Sequence, residues 1–480
     1  MEYEAVIGLE THVQLHTKTK MFSSSSNNYQ SAEPNTVVDP VTLALPGTLP
    51  VVNKKAIEDA IAIGLSLNCS IREITKFDRK QYTYPDLMKG YQISQFDLPV
   101  GVDGSLEIIL DETKETVEIE RVHMEEDTGK SIHKGSGRID SATSTLLDFN
   151  RSGVPLVEIV TKPVIKSSKE AVSYIEELRQ LVIDLKISEG KLEKGNLSFD
   201  ANISVAKEGD DELGVKVEIK NMNSLRSLEK AIDYEIKRQT KLIESNEVII
   251  QETRHWDEDK EVTSSMRSKE GSADYRYFSD PDLPNMILSD EFIDNIKKTI
   301  PILPSEKRDK LSETGLSTSE SNYLSKSEEW IYDLFLKTQK ITNDTKSTFN
   351  LITGELQGQL RKAGMEELPE WFTSERLSEI IKMINENKIS FTSGKEILTN
   401  LIKNEIIPTK YAEDNNLIQD NDSDEIAKIV KNVIESNKEV VERIKDGEEK
   451  LVGFLVGQII KSSKGNINPS IAKDLLLKEL

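Results

Sequence analysis

One change of hydrophobic period divides this sequence. Up to about residue 292, apolar residues recur at every second position in short runs such as EYEAVIGLETHVQL, TVEIERVHM, ANISVA and VKVEIKNM. Alternation of that kind buries one face of a β-strand and wets the other. Helix-like stretches lie between these runs: NKKAIEDAIAIGLSL, KEAVSYIEELRQLVIDL and LRSLEKAIDYEIKRQ. In the last, Leu225, Leu228, Ala231, Ile232 and Ile236 keep helical spacing. Tight Gly/Pro turns outnumber long crossovers, which favours antiparallel pairing. Between Pro281 and Pro304 the segments PDLP and IPILP break the pattern. Beyond them the periodicity is almost entirely helical.

A second break spans Pro408 to Asp424 and is rich in Asn and Asp. After it, Ile426, Ile429, Val430, Val433 and Ile434 form a helical stripe, with Asp422 and Glu425 in capping-box spacing. A last helix is expected to open at Asn468, with Pro469 at its first position. The expected class is therefore α+β. A mostly antiparallel domain covers 1–292, an all-α domain 293–407, and a helical tail 408–480.

Composition narrows the function classes. A chain of 480 residues buries a core without staples. Its 62 basic against 84 acidic residues leave a net charge of −22, which excludes a small basic protein coating nucleic acid by charge alone. Cys69 stands alone, so no intrachain disulfide and no thiolate metal cluster is expected. No run approaches the roughly 20 apolar residues of a membrane span. The acidic start MEYEAVIGLE is unlike a signal or transit peptide, so a cytoplasmic location is expected.

The first strand offers candidate ligands. One face carries Ala5, Ile7, Leu9, Thr11, Val13 and Leu15; the other carries Glu10, His12, Gln14 and His16. Glu10 and His12, two residues apart, can share one cation, although this segment taken alone reads as a solvated face. ERVHMEEDTGKS adds His123, Glu125, Glu126 and Asp127. Consecutive acids repel one another unless they are solvated or face a cation. A solvated turn and an oxygen-rich Mg²⁺ or Mn²⁺ site both fit that pattern. Glu158 interrupts the apolar run VPLVEIV, as an edge-strand residue or as a ligand in a pocket. Asp200 in SFDANISV is a weaker case of the same kind. In KFDRKQYTYPDLMKGYQISQ, Lys76, Arg79, Lys80 and Lys89 alternate with Tyr82, Tyr84 and Tyr91. Cations hold phosphates and rings stack on bases, but a structured loop has the same composition. The GKS at Gly129–Ser131 lacks the earlier glycine of a P-loop, and Gly135-Ser136-Gly137 lacks the third glycine of a dinucleotide fingerprint. There is no G-x-S-x-G elbow and no H-E-x-x-H.

Long strings along the chain resemble one family, GatB, the B subunits of the tRNA-dependent amidotransferases. They include VIGLETHVQLHTKTKMF, LPGTLPVVNKKAI, KFDRKQYTYPDLMKGYQISQFDLP, RVHMEEDTGKSIH and DFNRSGVPLVEIV. FDANISV, EIKNMNSLRSLEKAIDYEIKRQ, SADYRYFSDPDLP and FLVGQIIKSSKGNINP continue the series. The resemblance implies a catalytic cradle, a helical domain and a YqeY-like tail that binds tRNA. It implies a heterotrimer with a GatA-type glutaminase and a GatC-type small subunit, acting on mischarged tRNA away from any membrane. ATP with Mg²⁺ or Mn²⁺ would phosphorylate the side-chain carboxylate of Glu on tRNA-Gln, or of Asp on tRNA-Asn. Ammonia from the glutaminase would then displace phosphate. Acyl phosphate formation makes a poor electrophile reactive by supplying a leaving group.

Carried over by residue, the resemblance puts a metal pocket on His12, Glu126 and Glu158. Glu10, Glu125, Lys80 and Asp200 become catalytic, and Arg79 and Lys80 face phosphate or the tRNA acceptor. Lys461 and Lys464 in the tail would contact tRNA. Zinc-bearing relatives hold four cysteines where this chain has Ser23, Ser25, Asp39 and Thr42, so no zinc is expected. Relatives often read EEGSLRCDANIS where this chain reads EKGNLSFDANIS, with Ser198 at the arginine position. A non-catalytic tRNA-binding scaffold and a stand-alone YqeY-like protein are the competing classes.

Overall fold

The computed structural model describes residues 3–135, 142–209, 212–268, 275–419, 423–445, 448–462 and 469–480. They form two compact units, Met1–Lys307 and Arg308–Leu480. The strands of the first unit are β1 (Tyr3–Gln14), β2 (Ser70–Ile71), β3 (Ile74–Thr75), β4 (Asp78–Gln81), β5 (Tyr91–Ser94), β6 (Gly101–Leu110) and β7 (Thr113–Glu126). Then follow β8 (Lys130–Gly135), β9 (Ala142–Asp148), β10 (Pro155–Thr161), β11 (Leu197–Lys207), β12 (Val217–Lys220), β13 (Glu252–Asp257) and β14 (Val262–Ser268).

Nine strands make one sheet in the order β14-β13-β12-β11-β1-β10-β7-β6-β2. Every neighbouring pair is antiparallel except β12–β13. β10 lies between β1 and β7 and is buried at every position, so Glu158 stands mid-sheet and the edge-strand alternative falls away.

The two faces of this sheet differ as the alternation in β1 requires. Ile7, Leu9, Val13, Val122, Val157, Ile159, Ala201 and Ile203 enter one apolar cluster. Helices α1 (Lys54–Ser66), α2 (Ser168–Asp184) and α3 (Leu225–Glu244) supply its other half through Ala60, Ile63, Leu178, Leu228 and Ile232. Each fully buried Ile or Leu contributes roughly 1.5–3 kcal/mol, so this face holds the sheet to its helices. Side-chain oxygens of Asn53, Ser167 and Ser224 cap the three helices. Glu235 is also buried on α3, where Arg238 and Gln239 satisfy it. The opposite face keeps its acids and imidazoles.

A smaller sheet of β4, β5 and Phe278–Ser279 is tied to the end of β7. Gln92 Nε2 donates to the Glu126 carbonyl at 2.6 Å, and Met124 N donates to Gln95 Oε1 at 3.0 Å.

The second unit is helical in its described residues and holds two apolar clusters, one drawn from Leu311–Ala412 and one from Ile426–Leu476. The breaks read from sequence shift in both units. Helix Asp290–Lys297 buries Ile296 in the sheet-side core, so the first unit runs on past 292 to Lys307. The polar stretch after Pro408 is no bare linker. Pro408–Asp414 is a helix, Ala412 is fully buried in the first helical cluster, and Gln419 N donates to the Lys388 carbonyl at 2.7 Å. In the tail, Ile426, Val430 and Val433 are buried while Ile429 and Ile434 pack beside them. Asp422 and Asn468 lie outside the described residues. No helix among the described residues is long and apolar enough to cross a membrane.

Candidate functional site

Strand register assembles the polar face. His12 pairs with Glu158, Glu158 with His123, and Glu10 with Asp200. Partners in register share a face, so residues distant in sequence converge. His12 Nε2 lies 3.3 Å from Glu158 Oε2, and His123 Nε2 lies 3.4 Å from the same oxygen. Burial alone would lower the His12 pKa and is the largest single influence, but the hydrogen bond and charge of Glu158 with the charges of Glu125 and Asp200 together outweigh it and raise the pKa to about 9. Burial would raise Glu158; the two imidazoles instead hold it well below the usual carboxylate range.

Glu125 completes the group. One ligand atom from each of His12, Glu125 and Glu158 lies within 4.8 Å of the others. Glu125 Oε2 and His123 Nδ1 are buried with no hydrogen-bond partner among the described residues. An unsatisfied buried carboxylate oxygen costs about 1–3 kcal/mol or more. A divalent cation would remove that cost, and two carboxylates with one imidazole suit Mg²⁺ or Mn²⁺. The residues present therefore fit such an ion.

Glu126 is placed elsewhere. Successive strand residues point to opposite faces, so it leaves β7 away from Glu125. Its Oε1 accepts from Ile93 N at 3.1 Å and pairs with the Lys89 ammonium. It lines a separate cavity of about 220 Å³ with Lys20, Thr42 and Tyr91. Lys20 is buried there, and burial outweighs Asp39, Asp148 and Glu126 to lower its pKa to about 8. The structure thus brings together His12, Glu125 and Glu158 and separates Glu126 from them.

β4 sends its two basic residues to different surroundings. The Lys80 Nζ stands 5.0 Å from the centre of the Tyr275 ring. Burial would lower its pKa, but Glu125, Tyr277 and Glu158 raise it, so its charge serves the acidic pocket. Arg79 is committed to Asp280 and Asp282, each at 2.9 Å, and lies 4.3 Å from the centre of Tyr91. It is an internal tie rather than a free phosphate clamp.

A second acidic group flanks the first. One oxygen from each of Glu10, Asp200 and Glu218 lies within 4.8 Å of the others. Asn202 Nδ2 donates to Glu10 at 2.8 Å, and Lys220 reaches Asp200 at 2.5 Å and Glu218 at 3.1 Å. Ser198, in register with His12, is exposed beside the site. Ser23, Asp39 and Thr42 form a hydrogen-bonded group. Thr42 donates to Asp39 Oδ1 from N and Oγ1 at 2.7 and 2.6 Å, and its Oγ1 is 3.2 Å from Ser23 Oγ. Ser25 N donates to Ser23 Oγ at 3.3 Å. Lys461 is exposed on helix Val452–Ser462, and Lys464 lies outside the described residues.

Reading the acids at the end of β7 as one block missed their separation. Strand parity, which groups Glu10 with His12, also groups His123 with Glu125 and excludes Glu126.

A family model described as the GatB/GatE catalytic domain matches residues 5–294, and a model described as a GatB domain matches 333–480. The aspartyl/glutamyl-tRNA(Asn/Gln) amidotransferase B subunit of Thermodesulfovibrio yellowstonii is 45% identical, over 100% of each chain. B subunit 1 of Clostridium acetobutylicum is 44% identical over 100% of this chain and 99% of its own. The B subunit of Prochlorococcus marinus strain MIT 9515 is 46% identical over 100% of this chain and 98% of its own.

Proposed function

This chain belongs to the GatB family, the B subunits of the aspartyl/glutamyl-tRNA(Asn/Gln) amidotransferases, and on that premise we propose that its polar sheet face carries the reaction. The chain activates and amidates mischarged Glu- or Asp-tRNA to Gln- or Asn-tRNA, as a component of a glutamine-dependent ligase. ATP is consumed in the activation. In our reading the side-chain carboxylate takes the γ-phosphoryl group, and ammonia then displaces phosphate from the acyl phosphate. A GatA-type glutaminase delivers the ammonia, a GatC-type small subunit makes up a cytoplasmic heterotrimer with the other two, and the tail contacts tRNA through Lys461 and Lys464.

Phosphoryl transfer asks for positioning and charge neutralisation rather than a protein nucleophile. A Mg²⁺ or Mn²⁺ ion held by His12, Glu125 and Glu158 would supply neutralisation of phosphate oxygens. His123 holds Glu158 from the side opposite His12 and fixes its carboxylate. Lys80, drawn toward the acids, offers an ammonium to the transferred group or to the substrate carboxylate. Glu10, anchored by Asn202, can accept a proton from the attacking ammonia, and Lys220 holds Asp200 beside it. Ser23, Asp39 and Thr42 satisfy one another without zinc, and elemental analysis of the purified chain is expected to find none.

The observation that carries this reading is a buried Glu125 oxygen with no hydrogen-bond partner among the described residues, on a carboxylate grouped within 4.8 Å of His12 and Glu158 ligand atoms. A pure scaffold has no use for it. The test is a reconstituted complex with mischarged tRNA, ATP and glutamine. His12→Ala is expected to abolish amide formation while glutamine hydrolysis by the partner remains measurable. Amide formation at the wild-type rate would overturn the assignment.

A further inference from the structure

Next to the acidic pocket, five aromatic side chains from three separate segments form one continuous row. Phe96 stacks on Tyr277, with ring centres 4.3 Å apart and planes 8° from parallel. Tyr277 meets Tyr275 edge-on at 6.1 Å, Tyr275 meets Tyr82 at 6.0 Å, and Tyr82 meets Tyr84 at 6.0 Å. Rings gathered only to fill a core leave water, yet here both ends are wet: Phe96 is 58% and Tyr84 54% exposed. The middle of the row touches the site, because Lys80 stands over Tyr275 while feeling Glu125 and Glu158.

We infer that this row is a stacking platform for the unpaired 3′-terminal nucleotides of the tRNA. The inference rests on the proposed reaction. If a Glu or Asp side chain must reach the acidic pocket, the ribose that carries its ester lies only a few bonds away. The terminal bases must therefore pass beside the pocket. Phosphate contacts can supply only part of the hold there, through Lys80 over the middle ring. The nearby cations Lys76 and Arg79 are occupied by Asp78 and Asp97 and by Asp280 and Asp282. Stacking on aromatic rings adds hold on single-stranded nucleic acid without choosing a base. A row of rings offers several successive stacking positions, whereas the adenine of a single ATP needs one or two.

The test uses the assembled complex. Phe96→Leu with Tyr84→Leu removes the exposed rings and keeps apolar side chains; Tyr275→Leu interrupts the middle, and Tyr275→Phe keeps the ring. With stacking worth about 1–3 kcal/mol per base, the KM for mischarged tRNA should rise about tenfold or more in the Leu variants. The KM for ATP should not move, and Tyr275→Phe should restore the tRNA KM. Uncharged tRNA trimmed of its unpaired end should bind the wild type more weakly than intact tRNA, while the double Leu variant should not distinguish them. A raised KM for ATP alone would assign the rings to the nucleotide and overturn the inference. An unchanged tRNA KM with unchanged sensitivity to trimming would leave the rings as loop packing and overturn it too. Failure of the wild type to form amide would count against the reaction itself, and the trimming comparison would still report on the platform.

Discussion

Glu125 and Glu126 are consecutive, equally buried and chemically identical, yet they occupy different regions of the molecule. Glu126 closes a cavity in which the protein meets its needs, with Lys89 for its charge and Ile93 N for its oxygen. Glu125 enters a pocket of acids and imidazoles in which one of its oxygens meets no donor among the described residues. The difference teaches how to tell a structural acid from a functional one. Burial does not separate them; satisfaction does. A folded chain tolerates an unmet carboxylate where a ligand is to meet it, and pairs it with a lysine where none is.

That contrast can be broken by mutation, and the largest effect should come from Glu125→Gln. In our reading it removes a charge that would hold the cation, and it should lower amide formation about 10³-fold with little loss of stability. Single-turnover assays with preformed complex would show it. Glu126→Gln should do the reverse. It strands the Lys89 ammonium beside a neutral amide, so the sheet unit should lose about 2 kcal/mol in denaturant melts. Its amide formation should stay at least about tenfold above that of Glu125→Gln. Adding Lys89→Met should recover part of the lost stability, because an apolar replacement leaves no unpaired charge. The smallest effect is thermal. Saturating Mg²⁺ should raise the unfolding temperature of wild type and Glu126→Gln by a few degrees and leave Glu125→Gln unmoved.

Much of this site could be read from the amino-acid order. Alternation in β1 separated Glu10 and His12 from the core, and Glu158 stood out as an acid in an apolar run. Strand register could not be read. His12 meets Glu158 only because β1 pairs with β10, and Glu158 meets His123 only because β10 pairs with β7. A shift of one residue would turn either partner to the other face. Composition misled at Arg79, a cation among tyrosines whose charge is spent on Asp280 and Asp282 from a segment far along the chain. It misled again after Pro408, where the Asn- and Asp-rich letters hid a short helix that buries Ala412. The ring row was half visible. Tyr82, Tyr84 and Phe96 lie in one string, but Tyr275 and Tyr277 join them only in the folded chain.

The central claim is that His12, Glu125 and Glu158 form a cation site from which Glu126 is excluded. Titration of Mn²⁺ into the purified complex, followed by the paramagnetic signal of the free ion, tests it without any turnover. The account predicts one tight Mn²⁺ per chain in wild type, the same site in Glu126→Gln, and loss of that site in Glu125→Gln. Loss in Glu126→Gln with retention in Glu125→Gln would contradict it.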